Sequence, residues 1–255
     1  MSTVHLISHG AVAEIRLDNP DKLNAFTPEM LESLEAHCSA LERDREARAV
    51  VVSAAPSRAF CAGADITAWA PLPPGEFARG WVRDGHRIFD RLARLSKPTV
   101  AAIGAHAFGG GLELAATCDI RVISPTATIA LPEANVGIVP GWSGTQRLAR
   151  LLPEPVIKEM ALFGQRLGAE RTLALGFVAE ISEDVNAASF ALAERAAGLS
   201  PMSVETAKYM LHAAVGEDRA AMVEALGGGM VSATNDRQEG VRAFQEKRKP
   251  KFTGE

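Results

Sequence analysis

The stretch TVAAIGAHAFGGGLELAATC, residues 99–118, carries a strand signal followed directly by a helix signal. Its first six residues form a short apolar run that predicts a buried strand. Three glycines at 109–111 then lead into an apolar segment that predicts a helix, and a carboxylate, Glu113, lies inside that segment. A strand that continues into a helix is the repeating unit of α/β folds.

The alternation of strands and helices continues on both sides of this stretch, which predicts an α/β core. Residues 11–17 alternate between apolar and polar side chains, as expected of a half-buried strand. Thr27 and Pro28 form a helix start, because proline is favoured at the first helical position. Ala49–Ala54 is a β-branched run typical of a strand buried on both faces. Further predicted elements are a helix near 77–95 and extended pieces at 119–123 and 128–131.

Beyond about residue 182 the sequence changes to helix-forming residues. Helical periodicity predicts three helices, at 186–198, 201–215 and 236–249. Asp236 and Glu239 have the spacing of a capping box, and three glycines at 227–229 are expected to interrupt a further helix. We therefore predict an α/β core at 1–190 and a helical region at 191–255.

Composition excludes several classes of function. The chain has 255 residues, with 31 acidic and 27 basic side chains, a net charge of −4 and 5% aromatic residues. A mildly acidic chain with few aromatic rings does not favour nucleic-acid binding. The six histidines show no HExxH or similar spacing, so no metal site is predicted.

Other features predict a cytoplasmic protein with no membrane span. Cys38, Cys61 and Cys118 lie among apolar neighbours without CxxC spacing, so we expect reduced, buried thiols. The N-terminus lacks the basic start and long apolar run of a secretory signal. Polar residues and glycines interrupt the most apolar window, 99–118, which is therefore not expected to cross a membrane.

Two glutamates and two turns rich in small residues are the candidates for a functional site. In FCAGADI, residues 60–66, the small residues let a backbone N–H face a ligand, although a plain strand-to-helix turn capped by Asp65 is the simpler interpretation. Glu113 is either a buried acid with a raised pKa or an exposed acid in a first helical turn. Glu133, in LPEANVG, is in a setting where a glutamate is usually a solvated loop residue. Two isolated acids beside open loops nevertheless suggest a paired general acid and base.

Together, these motifs resemble the enoyl-CoA hydratase/isomerase (crotonase) superfamily over nearly the full chain, and enoyl-CoA hydratases most of all. Each motif is weak alone, but their order and spacing match the family. They are NPDKLN at 19–24, FCAGADI at 60–66, GGGLE at 109–113, LPE at 131–133, GTQR at 144–147 and EKRK at 246–249. The resemblance implies an α/β spiral of repeated ββα units with a C-terminal α-helical trimerisation region.

The resemblance also implies catalytic roles. Ala64 and Gly110 match the residues whose backbone N–H groups form an oxyanion hole, which would hold a thioester oxygen as it gains charge. Glu113 and Glu133 match two catalytic glutamates: Glu113 would act as base on a water that adds at Cβ, and Glu133 would deliver a proton to Cα. The implied reaction is reversible syn addition of water to a trans-2-enoyl-CoA, as in fatty acid metabolism.

Binding residues and partners are implied in the same way. The positions that match the substrate and CoA site are Lys22, Leu23, Ala62, Ile66, Gly109 and Trp142, with Lys247 reaching CoA from a neighbouring subunit. Trp142 replaces a residue that is commonly small, so a shorter acyl pocket or a changed substrate preference is expected. CoA is part of the substrate, no metal or redox cofactor is implied, and a homotrimer or a dimer of trimers is expected.

Alternative functions remain open within and outside this class. Family members that mainly shift double bonds often keep only the acid matching Glu133, so the presence of Glu113 favours hydration over isomerisation. Trp142 and Ser143 motivate a rival enzyme of the family, an isomerase, hydrolase or C–C lyase that acts on an unusual acyl-CoA. A non-catalytic member that binds a partner or RNA is a further alternative, and the presence of both acids argues against it.

Overall fold

The structure, a computed structural model, describes residues 2–217 and 219–255. Its contacts divide the chain into two units, Met1–Pro201 and Met202–Glu255. Within the described residues every strand belongs to the first unit, and the second unit is helical. Each of these helices is too short or too polar to span a bilayer.

The described residues form ten strands in two sheets. Their bounds are β1 Thr3–His9, β2 Val12–Asp18, β3 Ala49–Ala54, β4 Ala59–Cys61, β5 Thr99–Ile103, β6 His106–Phe108, β7 Ile120–Ile123, β8 Thr128–Ala130, β9 Leu167–Gly168 and β10 Glu180–Ile181. The larger sheet has the order β1-β2-β3-β5-β7-β10 and the smaller one the order β4-β6-β8-β9.

Helices connect these strands and make up the second unit. The α-helices are α1 Pro28–Arg43, α2 Ile66–Trp69, α3 Pro74–Glu76, α4 Asp84–Ala93, α5 Gly110–Thr117, α6 Leu148–Leu151, α7 Glu154–Phe163, α8 Ala169–Ala174, α9 Val185–Ala197, α10 Pro201–Ala214, α11 Arg219–Ser232 and α12 Asn235–Gln245. Short 3-10 helices cover Pro20–Lys22 and Glu133–Val136, and a π-helix at Phe77–Arg83 joins α3 to α4.

Consecutive strand pairs are shared between the two sheets in a regular way. In each of the pairs β3/β4, β5/β6 and β7/β8, the first strand joins the larger sheet and the second joins the smaller one. The strands β3, β5 and β7 pair in parallel, as do β4, β6 and β8. Each ββα repeat therefore stacks on the repeat before it. The predicted α/β spiral of repeated ββα units is confirmed.

Local sequence signals explain the best-predicted elements. The Thr27 side chain accepts the Met30 N–H at the start of α1, and Pro28 occupies its first position, as predicted. Strand β3 has the predicted bounds, and its first five residues are buried. The three cysteines are buried and none forms a disulfide in the described residues, as expected.

Two expectations for the second unit are wrong. Helix α12 is capped by Thr234, which accepts the Arg237 N–H, whereas Asp236 accepts N–H bonds from Thr253 and Gly254 instead of forming a capping box. Helix α11 runs through the glycines at 227–229 without interruption, although each glycine weakens a helix by about 1 kcal/mol relative to alanine. Residue 190, the predicted boundary, lies inside α9, and the oligomerisation role of residues 191–255 stays a prediction.

Candidate active site

A cavity of about 200 Å³ in the first unit brings both candidate glutamates to one place. Its wall includes the turn after β4, the start of α5, the 3-10 helix Glu133–Val136 and part of the π-helix. Eight of the eleven predicted site residues line it: Ala62, Ala64, Ile66, Gly109, Gly110, Glu113, Glu133 and Trp142. Segments far apart in the sequence therefore converge as the resemblance implies.

The glycines before α5 allow unusually close approach of the chain at this cavity. Gly109 has φ 53, and a Cβ on it would lie 3.0 Å from Oε1 of Glu133. A Cβ on Gly111 would lie 2.0 Å from the Cys61 carbonyl oxygen. Larger residues here would push apart the two turns that form the cavity wall.

The backbone N–H groups of Ala64 and Gly110 belong to neighbouring segments of this wall. The Gly110 nitrogen lies 3.2 Å from where a Cβ on Gly63 would be. Gly110 is the first residue of α5, so its N–H has no acceptor within the helix. In residues 2–217 and 219–255, neither amide donates a hydrogen bond to a backbone or side-chain acceptor. Two free donors at one wall are what a developing oxyanion requires.

Glu113 is a buried carboxylate held by two backbone donors. It lies in the first turn of α5 with 2% exposure. Its Oε1 accepts the Trp142 N–H at 2.8 Å and the Gly144 N–H at 2.7 Å. Ser143, between these donors, has φ 87 and does not line the cavity. Burial raises the pKa of Glu113 to about 7, the negative charge of Glu133 adds to the rise, and the two N–H donors oppose it.

Glu133 is a buried carboxyl group with fewer hydrogen-bond donors than Glu113. It starts a 3-10 helix and has 8% exposure, so it is not the solvated loop residue that its local sequence suggests. Its Oε2 is buried without a hydrogen-bond partner in the described residues. Burial raises its pKa to about 7.

The two glutamates therefore titrate as a coupled pair close to neutral pH. Repulsion between two buried negative charges favours the state in which one acid is ionised and the other holds a proton. The N–H donors to Glu113 stabilise its carboxylate form, whereas Glu133 has only a backbone hydrogen bond of its own residue. These donors favour the ionised form at Glu113 over the ionised form at Glu133.

Trp142 lies mainly in the core and reaches the cavity with little of its surface. It is 3% exposed and packs against the rings of Phe26, Phe89 and Trp81 at centroid distances of 6.0, 5.1 and 5.4 Å. A Cβ on Gly110 would lie 2.9 Å from its ring. The Trp142 ring therefore packs directly against Gly110, a contact that the sequence did not predict.

Sequence reasoning missed the other aromatic residues of the wall, Trp69, Phe77 and Trp81. Trp69 is the last residue of α2, and Phe77 and Trp81 lie on the π-helix. No local pattern separates a ring that faces a cavity from a ring that fills the core. Only the tertiary packing of these helices brings the three side chains to the site.

Lys22 and Leu23 do not line this cavity but bond to residues of the turn after β4, which does line it. Lys22 Nζ lies 2.6 Å from Asp65 Oδ2, and Asp65 caps α2 by accepting the Thr67 N–H, as predicted. The Leu23 carbonyl accepts the Ala62 N–H at 3.0 Å. Their contacts with CoA stay predictions.

Two further expectations concern Lys247 and the absence of a cofactor. Lys247 belongs to the second unit, with φ 53 after α12, and its contact with CoA stays a prediction. In the described part of the chain, no three His, Cys, Asp or Glu side chains form a group able to hold a metal ion. That the reaction needs no cofactor likewise stays a prediction.

Comparison with known proteins identifies the family. The sequence model of the enoyl-CoA hydratase/isomerase family matches residues 8–255. The chain belongs to this family. It is 34% identical to the (E)-benzylidenesuccinyl-CoA hydratase of Thauera aromatica, over 99% of this chain and 98% of that protein. It is 33% identical to the short-chain-enoyl-CoA hydratase of Clostridium acetobutylicum, over 98% of this chain and 97% of that protein.

The structural comparison agrees with the family assignment. The crystal structure of an enoyl-CoA hydratase from Bacillus anthracis superposes with a TM-score of 0.81 at 29% identity, and the match covers 99% of each chain. The expected crotonase-like fold with C-terminal helices is therefore confirmed.

Proposed function

We propose that this family member is an enoyl-CoA hydratase, which adds water reversibly to a trans-2-enoyl-CoA. The observation that carries the proposal is the pair Glu113 and Glu133, two buried acids at one cavity with raised pKa values near 7. A hydration needs a base and an acid at the same time, and a coupled pair with one shared proton supplies both.

The oxyanion site begins the reaction. The thioester oxygen of the substrate accepts the N–H groups of Ala64 and Gly110, which lack other acceptors in the described residues. As water attacks Cβ, electrons of the double bond move towards this oxygen and form an enolate. Two oriented donors stabilise that charge, and loss of one such donor costs about 3 kcal/mol in a known acyl-transfer enzyme.

The two acids then complete the addition. The Glu113 carboxylate takes one proton of the attacking water, whose oxygen forms the new bond to Cβ. Glu133 gives its proton to Cα as the enolate collapses to the thioester. The product is a 3-hydroxyacyl-CoA, Glu113 ends protonated and Glu133 ionised, and one proton transfer restores the starting state. We propose that both acids meet the same face of the double bond, which gives syn addition.

The direct test is paired glutamine substitution. Glu113→Gln and Glu133→Gln should each lower kcat for crotonyl-CoA by about 10²- to 10⁴-fold with little change in KM, since general acid–base catalysis contributes that much. Loss of the conjugated thioester absorbance measures the rate. Glu14→Gln is the matched control, because Glu14 is also buried but bonds to Ser53 and His9 instead. Unchanged turnover in either active-site variant would discard the mechanism.

A second readout separates hydration from isomerisation. An isomerase that shuttles its proton through Glu133 alone would keep converting a 3-enoyl-CoA to a 2-enoyl-CoA after Glu113→Gln. Under the hydratase proposal, Glu113→Gln removes the activity on crotonyl-CoA. A variant that loses nothing on either substrate would leave Glu113 without a catalytic role.

The remaining expectations complete the proposal. An acyl-CoA substrate is consistent with the family. We propose that Lys22 and Leu23 contact its CoA part, that Lys247 reaches CoA from a neighbouring subunit, and that the protein assembles as a homotrimer or a dimer of trimers. Analytical ultracentrifugation with and without CoA tests the assembly, and a monomer under both conditions would contradict it.

A further inference from the structure

All three tryptophans of the chain lie at the wall of the active-site cavity. Trp69, Trp81 and Trp142 are the only tryptophans in the sequence, and each lines the cavity. Phe77 adds a fourth aromatic ring to the same wall. Because only 5% of the residues are aromatic, four rings at one cavity are a specific feature of this site.

These rings form an inner and an outer pair. Trp81 and Trp142 are buried, with ring centroids 5.4 Å apart, and Trp142 is fixed by its contact with Phe89. Trp69 and Phe77 are half-buried, with centroids 5.5 Å apart and planes tilted by 54°. The outer pair packs against the core on one side and keeps accessible ring surface, and it is this pair that a ligand can reach.

The charges at the cavity select against an acidic acyl group. Among the described residues that line it, only Glu113 and Glu133 carry charge, and no Lys, Arg or His is present. A carboxylate on the acyl chain would lose its hydration without gaining a counter-ion and would face an ionised glutamate. Asn135 is the one uncharged polar side chain among the described lining residues, and the others, such as Ile66, Val82 and Ile138, are apolar.

The cavity is large enough for a six-membered ring. Its volume is about 200 Å³, and an apolar cavity of roughly 150 Å³ is known to bind benzene. Aromatic rings pack against one another in stacked or edge geometry at about 4.5–7 Å between centroids, which adds to affinity beyond burial of area. A planar conjugated acyl group also has few rotors to lose on binding.

We propose that the substrate carries an uncharged aromatic acyl group, a 3-aryl-2-enoyl-CoA, whose ring packs against Trp69 and Phe77. This inference rests on the proposed hydratase function and adds the class of acyl group to it. The acyl part would reach the oxyanion site at its thioester end and the outer aromatic pair at its ring.

The first test compares two saturated ligands that cannot be hydrated. The full-length protein is titrated with 3-phenylpropanoyl-CoA and with 3-cyclohexylpropanoyl-CoA, which have similar size and differ in the aromaticity of the ring. The phenyl ligand should bind about 2- to 12-fold tighter, as expected from aromatic pairing. Calorimetry gives both Kd values, and tryptophan fluorescence is a second readout because every tryptophan lies at this cavity. Equal or tighter binding of the cyclohexyl ligand would overturn the inference.

Variants locate the effect at the outer pair. Phe77→Leu should lower the ratio of the two Kd values, because only Trp69 of the outer pair remains, whereas Phe163→Leu should leave it unchanged, since Phe163 is 77% exposed at the end of α7 and does not line the cavity. Circular dichroism checks folding, and Trp69→Leu replaces Phe77→Leu if that variant does not fold. A full preference for phenyl in the folded outer-pair variant would contradict the assignment.

Turnover separates this inference from the function on which it rests. Of cinnamoyl-CoA, trans-2-hexenoyl-CoA and crotonyl-CoA, we expect cinnamoyl-CoA to have the highest kcat/KM. Hydration of the alkyl substrates with poor use of cinnamoyl-CoA would refute the aryl assignment and leave the hydratase proposal intact. A clear phenyl preference in binding without hydration of any of the three would refute the hydratase proposal and support the aryl pocket.

Discussion

Glu113 and Glu133 line the same cavity, yet their surroundings differ in a way that matters for chemistry. Glu113 lies in the first turn of an eight-residue helix and accepts two backbone N–H bonds on one oxygen. Glu133 starts a single 3-10 turn, and one of its oxygens is buried without a partner in the described residues. Burial raises both pKa values, but only Glu113 is built to hold negative charge. Under the proposed mechanism, this difference in hydrogen-bond donors is what gives Glu113 the role of base and Glu133 the role of acid.

The largest effect outside the glutamates themselves should come from Gly144→Ala. A Cβ at this position would lie 2.7 Å from Oε1 and 3.0 Å from Cγ of Glu113. The carboxylate must therefore move or lose a donor, and we expect kcat for crotonyl-CoA to fall about 10- to 1,000-fold, in the range seen for misplaced catalytic groups. The control is Gly168→Ala, which has open space around its Cβ position. Wild-type kcat in Gly144→Ala would show that the position of Glu113 is not critical.

The pH dependence of hydration should show both members of the pair. Since both acids titrate near pH 7, one proton is shared in the active form, and kcat/KM should follow a bell-shaped curve around neutrality. The rate falls about tenfold per pH unit on the acid side, where both are protonated, and on the alkaline side, where both are ionised. A profile that is flat from pH 5 to pH 9 would show that the two glutamates do not act as a base and an acid that share one proton.

A smaller effect is expected on stability, and it follows from the raised pKa values of the two acids. The pKa of Glu133 rises from 4.5 to about 7 on folding, so the folded state binds more protons between these values and wild-type stability falls as pH rises through that window. Glu133→Gln removes this cost and should raise the free energy of unfolding at pH 8 by on the order of 1 to 3 kcal/mol, and by much less at pH 4.5.

Urea unfolding of wild type, Glu133→Gln and Glu113→Gln at both pH values makes this measurement. Glu113→Gln should gain a similar amount at pH 8, because burial raises the pKa of Glu113 to about 7 as well. A variant with no gain at pH 8 would contradict a raised pKa for the acid that it replaces.

The sequence predicts those parts of the fold and site that depend on local pattern. Periodicity and capping residues locate α1 and β3, and the glycines at 109–111 mark the start of α5. The order of motifs predicts that Ala64, Gly110 and the two glutamates converge, and eight of the predicted residues do line one cavity.

The remaining features depend on packing between segments that are distant in the chain. The N–H groups that Trp142 and Gly144 offer to Glu113 come from a loop about 30 residues further on, and no spacing rule gives the direction of a backbone amide. The aromatic residues of the cavity wall could not be predicted from the sequence for the same reason, since a tryptophan in a helix is as compatible with the core as with a cavity. The predicted capping box at Asp236 is wrong because α12 begins at Asn235 and is capped by Thr234.

Difference infrared spectroscopy of the free enzyme at pH 7 tests most directly whether the two acids hold opposite protonation states. Subtracting the spectrum of Glu133→Gln from that of wild type should leave the C=O stretch of a protonated carboxyl group. Subtracting that of Glu113→Gln should leave carboxylate bands, because Glu113 is expected to be ionised. The reverse pattern, or two carboxylates, would contradict the assignment of base to Glu113 and acid to Glu133.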